Sequence, residues 1–178
     1  MIFPDDVTLR GDGLILREWT AADVPAMVEL FDEESIDVWT PLASPFDGDV
    51  AQRYVDRAHG GRAAGICLQL AITTDGRAPL GEILLFEGED EETAELAYAV
   101  GIAHRGQHLT ARAMRLTMEF ARQSCGIKRF MVKVSPANPA SESVARAAGL
   151  ELTNAPLEIR ERKGRRVELA VWRTADSN

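Results

Sequence analysis

Cysteine, basic charge, long apolar runs and the common phosphate-loop motifs are all scarce or missing in this chain. The two cysteines, Cys67 and Cys125, stand in apolar contexts without metal-ligand spacing, and no histidine lies near Cys125 in sequence to activate it. They read as reduced core thiols of a cytoplasmic protein, not as a disulfide or a metal site. No apolar stretch approaches the roughly 20 residues that a bilayer crossing needs. The start, "MIFPDDVTLRGDG", lacks the basic and apolar regions of a secretion signal. No membrane partner is expected. Acidic residues outnumber basic ones, 28 to 20, for a formal net charge of -8, so the overall field does not favour nucleic acid. The acidity reads either as an attraction for a cationic substrate or as a solvated surface. Neither a Gly-Lys-Ser or Gly-Lys-Thr phosphate loop nor a three-glycine dinucleotide fingerprint occurs. A phosphorylated ligand has to be held mainly by main-chain amides.

What is present suits one compact domain over residues 1–178, since 46% of the chain is hydrophobic. "LILREWT" alternates and reads as a first strand. A helix follows over "TAADVPAMVELFDEES", with Thr20 as N-cap, Asp23 three residues on, and Val24, Met27, Val28 and Phe31 at helical spacing. The loop "VWTPLASPFDGD" carries Trp39 and Phe46, which read either as walls of a substrate site or as covers of the core. After a helix over "DVAQRYVDRA", three strands, "GICLQLAIT", "PLGEILLFE" and "TAELAYAVG", form an antiparallel meander whose first turn contains Asp-Gly. A helix from about Gly106, a strand "RFMVKVS", and a helix "PASESVARAAG" ending at Gly149 come next. "LELTNAPLEIRE" and "RRVELAVWRT" close the chain as strands joined by "RKGR". Strand-helix-strand segments imply parallel pairing late in the chain. The expected class is α/β (α+β): one mixed, mostly antiparallel central sheet of about seven strands with helices on both faces.

Between a strand and a helix lies "GIAHRGQHLT". The helix after it shows Leu109, Ala113, Leu116 and Phe120 as a stripe toward the sheet, with Arg112, Arg115, Glu119 and Arg122 opposite. The helix then opens near Gly106 or Gln107. Its first amides lack intrahelical partners and carry partial positive charge, so with Gly106 before them they form a pocket for phosphate oxygens. A glycine that merely lets the chain turn is the other reading. Arg105 either adds charge to that pocket or pairs with an acidic neighbour.

"ELAYAVGIAHRGQHLTARAM" resembles the acetyl-CoA-binding segment of the GNAT acetyltransferases. That family's signature (Arg or Gln, two residues, Gly, one residue, Gly or Ala) falls on Arg105, Gly106, Gln107, His108, Leu109 and Thr110. "ANPASESVARAAGL" resembles the family's Asn-x-x-Ser-x-x-Val-Ala-x-x-x-Gly-Phe stretch, at Asn138, Ser141, Val144 and Gly149. "RKGRRVELAVWRT" resembles the terminal strand of the Rim-type branch, which acetylates N-termini of ribosomal proteins. Two positions depart from the pattern: His108 stands where the family usually has Gly, and Thr110 where it has Gly or Ala. A histidine fits by turning its ring outward, because amides do the binding, or it narrows the site; protonated, it can pair with phosphate.

The resemblance implies an N-acetyltransferase that uses acetyl-CoA and no metal. The acceptor is a primary amine, either a protein N-terminal α-amine or a small-molecule amine, and it attacks the thioester directly. By the same resemblance the signature residues hold the diphosphate. The Val100 backbone meets the thioester carbonyl, Ile102 amides follow the pantetheine arm, and Asn138 binds that arm or caps its helix. Glu95 is the expected base, acting through water, with Glu82 on the neighbouring strand as second candidate. Ser141 donates to the departing thiolate or satisfies its own helix turn. Tyr98 is expected in the core or on the substrate wall, and Trp39 and Phe46 near the acceptor. A homodimer paired through the final strands is a further expectation. The alternative is a catalytically weak or silent acyl-CoA sensor, motivated by His108 and Thr110; a purely structural interaction domain comes third.

Overall fold

Asp12 and Gly13 both take positive φ, 50° and 69°. This two-residue turn joins β1 (Thr8–Gly11) to β2 (Leu14–Glu18) as an antiparallel hairpin. The computed structural model describes residues 1–175. β3 (Cys67–Thr73), β4 (Gly81–Glu87) and β5 (Thr93–Val100) continue the antiparallel meander from β2. β6 (Arg129–Val134) lies parallel to β5. β9 (Arg165–Thr174) pairs antiparallel with β6, with β7 (Leu150–Leu152) and with β8 (Glu158–Arg162).

The sheet therefore has nine strands, in the order β1-β2-β3-β4-β5-β6-β9-β7 with β8 on β9. The mixed, mostly antiparallel class agrees with expectation, and the count of about seven is corrected to nine. β1 is one addition. The other comes from "LELTNAPLEIRE", which is two strands. Thr153 turns both its amide and its hydroxyl onto the carbonyl of Val171, at 3.0 Å each. Pro156 then follows without an N–H to offer the ladder.

Helices cover both faces. A 3-10 turn (Ala21–Asp23) leads into α1 (Val24–Phe31), followed by α2 (Glu34–Trp39) and α3 (Gly48–Ala63). The single helix expected through Ser35 breaks at Asp32 and Glu33, where the backbone leaves helical values. α4 (Leu109–Cys125) and α5 (Pro139–Ala147) come later. Strand alternation divides the core in two. Leu68, Leu70 and Ile72 of β3 and Ile83 and Leu85 of β4 pack with Met114, Met118 and Ala121 of α4. Ala71 and Ala99 face the other way, into a cluster built by α1, α2 and α3.

That second cluster is ordered by an edge-to-face chain of rings: Trp19 on Phe31, Phe31 on Phe46 and Phe46 on Tyr54, with centroids 6.1, 5.6 and 5.9 Å apart. Phe46 is 0% exposed. Its expected place on the acceptor wall is corrected: the ring is core and presents no surface to a ligand. The stripe expected on α4 is also rotated. Leu109 and Ala113 are buried as read, but Met114, Thr117, Met118 and Ala121 complete the buried face, while Leu116 and Phe120 are only half-buried. Both cysteines are unpaired, and burial pushes the Cys67 thiol up to about 12. Among the described residues no helix is long and apolar enough to cross a membrane.

Candidate active site

The sheet opens between its fifth and sixth strands. β5 and β6 pair from Thr93↔Arg129 to Leu96↔Val132 and then stop. β5 continues to Val100 beside β4, and β6 to Val134 beside β9. The amide of Gly101 donates to Leu80 O at 3.1 Å, on the β4 side. Alternation then turns the amides of Val100 and Tyr98 away from β4 and into the opening. A main-chain donor aimed into a crevice is what the family resemblance assigns to Val100.

Beyond Val100 the chain makes a 3-10 turn (Ile102–His104), passes Gly106 at φ 76°, and reaches His108 at φ 55°. α4 begins only at Leu109, later than the expected Gly106 or Gln107, because two left-handed residues have to reverse the chain first. The carbonyl of His108 accepts from Arg112 N at 3.2 Å, closing the first helical turn. The amides of Leu109, Thr110 and Ala111 are thus left without acceptors among the described residues. They point out of a 17-residue helix whose dipole adds positive character. A methyl group added at Gly106 would meet nothing within 4 Å, so the space before these amides is open. The arrangement fits a diphosphate.

His108 explains why a glycine is usual in this signature: the position is left-handed. An imidazole-bearing residue is tolerated there at roughly 1 kcal/mol of backbone strain. The departure therefore acts on the backbone while leaving the amides in place.

Two cavities meet at the opening. One, of about 440 Å³, runs along the turn and the start of α4, between Val100 and Gly106 on one side and Asn138 and Val144 on the other. The second, of about 640 Å³, extends under the β8–β9 hairpin and is walled by Glu82, Glu95 and Lys133. Trp39, Tyr98, Ala99, Asn138 and Ser141 line both. Arg105, Gly106, Gln107, His108, Leu109 and Thr110 line the first. Ile102 lines neither and is 61% exposed.

The polar groups divide into engaged and free. Asn138 Oδ1 accepts from Ser141 N at 3.1 Å and caps α5, leaving its amide nitrogen toward the cavities. The Tyr98 hydroxyl donates to Ser141 O at 3.2 Å; burial raises it to about 12. Arg105 donates to Ser35 Oγ at 2.6 Å and to Val100 O at 3.3 Å, and pairs with Glu33 at 3.4 Å. It ties α2 to the end of β5, which matches the surface-pairing alternative.

The two carboxyl groups differ sharply. Glu95 sits in an ion pair with Lys133 at 3.1 Å and lies 4.0 Å from Arg160. Glu82 is buried, with no cation within 4.0 Å among the described residues. Its Oε1 accepts from Tyr54 Oη at 2.9 Å, and Oε2 has no partner. Burial lifts its pKa from 4.5 to about 7, and the Tyr54 hydroxyl pulls it partly back. The Trp19 indole also lowers it from nearby, outside hydrogen-bond geometry, so Nε1 and Oε2 both stay unpartnered. A buried, half-ionised carboxyl in a cavity wall is poised for proton transfer near neutral pH. Its hydroxyl partner Tyr54 lies 28 residues away in sequence, and no local pattern marks the pair.

Residues 13–151 match the acetyltransferase (GNAT) domain family. No curated protein sequence matches the chain. Among solved structures, RimJ of Mycobacterium smegmatis in complex with CoA-disulfide is 16% identical over 94% of this chain and 85% of its own, with a TM-score of 0.78. The microcin C7 self-immunity acetyltransferase MccE, in complex with acetyl-CoA and AMP, is 16% identical over 92% and 93%, with a TM-score of 0.81. A ribosomal-protein-S5-alanine acetyltransferase from Vibrio fischeri is 13% identical over 97% and 98%, with a TM-score of 0.79. At these identities the likeness is one of fold.

Proposed function

The chain belongs to the GNAT acetyltransferase family, and on that premise we propose that it transfers an acetyl group from acetyl-CoA to a primary amine. The acceptor is a protein N-terminal α-amine or the amine of a small molecule. One observation carries the reading: two cavities join where β5 leaves β6, with unpartnered helix amides at one end and a buried carboxyl of raised pKa at the other. Acetyl-CoA supplies the activated acyl thioester.

This chain's residues supply the rest. The amides of Leu109, Thr110 and Ala111 hold the diphosphate, helped by the open turn at Gly106. Val100 N–H offers a donor in the opening for the oxygen that gains charge; a fixed donor of this kind contributes roughly 3 kcal/mol. Asn138 and the ring of Trp39 fix the region between the cavities. Glu82, whose carboxyl is buried behind the cavity wall, takes the amine proton through a bridging water as the nitrogen–carbon bond forms and the carbon–sulfur bond breaks. Its pKa of about 7 keeps a large fraction ionised and ready at neutral pH. Ser141 Oγ is the donor for the departing sulfur. Glu95 is held in an ion pair with Lys133, so Glu82 takes the place of Glu95 as the base in this reading.

Thiol release from acetyl-CoA with a panel of amines tests the reading. Amine-dependent release that falls in Glu82→Gln is the expected result. Saturable stabilisation by CoA with no release for any amine would leave a binding module instead.

A further inference from the structure

The hairpin of β8 and β9 closes the larger cavity, and its inward side is cationic in a chain of net charge -8. Register sets Arg160 opposite Val167 and Arg162 opposite Arg165, and these side chains line the cavity together with Lys133 of β6. The hairpin tip is seated on α2. Lys163 Nζ reaches Asp37 Oδ1 at 2.5 Å and Asp37 O at 3.1 Å, while Arg162 Nη1 donates to Trp39 O at 3.4 Å.

Two carboxylates enter this cluster, and both are taken. Lys133 pairs with Glu95 and Glu158 at 3.1 Å each. Arg160 pairs with Glu158 at 3.2 Å and lies 4.0 Å from Glu95. Two cations balance two carboxylates. Arg162 and Arg165 then face the cavity with no carboxylate within 4.0 Å among the described residues. The Arg162 guanidinium is held below its usual value, by burial first and by the charge of Arg160 second. The charge of Glu95 offsets this only in part, and an anion in the cavity relieves the rest. The planar guanidinium fork matches a carboxylate through two parallel hydrogen bonds.

We propose that Arg162 and Arg165 form an anion-recognition subsite in the acceptor cavity, so that the favoured amine acceptor carries a carboxylate near its amine. Two sources share that chemistry: a peptide with acidic residues next to its N-terminus, and a small amino acid. The proposal rests on the acetyl-transfer reading for what the cavity holds, but the subsite itself is a matter of binding. Because the overall field of the protein repels anions, the selectivity acts at contact range and not through long-range steering.

Calorimetric titration tests it with three tetrapeptides that share an N-terminal serine and carry acidic, neutral or basic second and third residues. 4-Aminobutyrate and butylamine form a matched small-molecule pair. The expected result is binding at least about tenfold tighter for the anionic member of one or both sets, since one good charge-assisted contact is worth roughly 1.5–3 kcal/mol. Preference among the peptides alone identifies a peptide acceptor; preference within the small pair alone identifies an amino acid. Arg162→Gln and Arg165→Gln should each erase most of that preference, leaving affinity for the neutral peptide and for acetyl-CoA within about twofold. Equal affinities in both sets, equal losses for acidic and neutral ligands in the variants, or no binding of any carboxylate-bearing ligand would each overturn the subsite. Charge-selective binding without thiol release from acetyl-CoA would overturn the acetyl-transfer reading and leave the subsite standing. Thiol release with no charge preference would do the reverse.

Discussion

Replacing Glu82 with glutamine separates the two consequences of burying a carboxyl group. The folded pKa is raised from 4.5 to about 7, mainly by burial. Between those values the folded protein binds more protons than the unfolded chain, so this group's contribution to stability falls as pH rises through the window. From a shift of that size the contribution is about 1 kcal/mol unfavourable at pH 5 and about 3 kcal/mol unfavourable at pH 8. Glutamine keeps an acceptor for the Tyr54 hydroxyl and removes the titration. Urea unfolding of both proteins should therefore show the variant gaining about 2–3 kcal/mol on the wild type between pH 5 and pH 8, all other titrating groups cancelling in the difference. Acetyl transfer should move the other way, falling by about 100-fold or more with the loss of the base. Glu95→Gln, whose carboxylate is tied to Lys133, should lower turnover less than about tenfold. A stability difference that does not change with pH would mean that Glu82 titrates near its ordinary value. Undiminished turnover would remove it from proton transfer.

Three further substitutions check other parts of the account. His108→Gly should relieve left-handed strain, raising stability by about 1 kcal/mol and the melting temperature by about 3 °C, with acetyl-CoA affinity changed less than about threefold; a lower melting temperature would show that the imidazole makes a needed contact. Phe46→Ala should cost about 3–5 kcal/mol in chemical denaturation, with an unchanged KM for amine in the protein that remains folded. A selective rise in amine KM would return Phe46 to the acceptor wall. Ser141→Ala should slow turnover by about threefold to tenfold without altering acetyl-CoA affinity, and an unchanged rate would take its hydroxyl out of the reaction.

The parts of the fold set by local rules were readable in the chain. The meander was legible from alternation and the Asp-Gly turn, and α5 from Asn138, Pro139 and Gly149 at its ends. The first hairpin carried the same Asp-Gly signal at Asp12 and Gly13, yet β1 is only four residues long and too short to show its period. The break at Thr153 depends on a side chain bonding to Val171 across the sheet, which no local pattern displays. In the site, free helix amides following Gly106 were legible, but their position at Leu109 to Ala111 was not, because the left-handed residues Gly106 and His108 delay the start of α4. Phe46 was misplaced because the burial of a loop side chain is decided by tertiary packing. The choice between Glu82 and Glu95 turned on partners 28 and 38 residues away, Tyr54 and Lys133. Arg162 and Arg165 were visible in the sequence as a basic turn. Their cavity-facing placement required the register with β9.

The central claim is that main-chain amides at the start of α4 clasp the diphosphate of coenzyme A. Backbone amide resonances followed by NMR during titration with acetyl-CoA test it most directly. Saturable downfield shifts are expected at Leu109, Thr110 and Ala111, larger than those elsewhere in α4. Saturable binding that leaves these three resonances unmoved would contradict it.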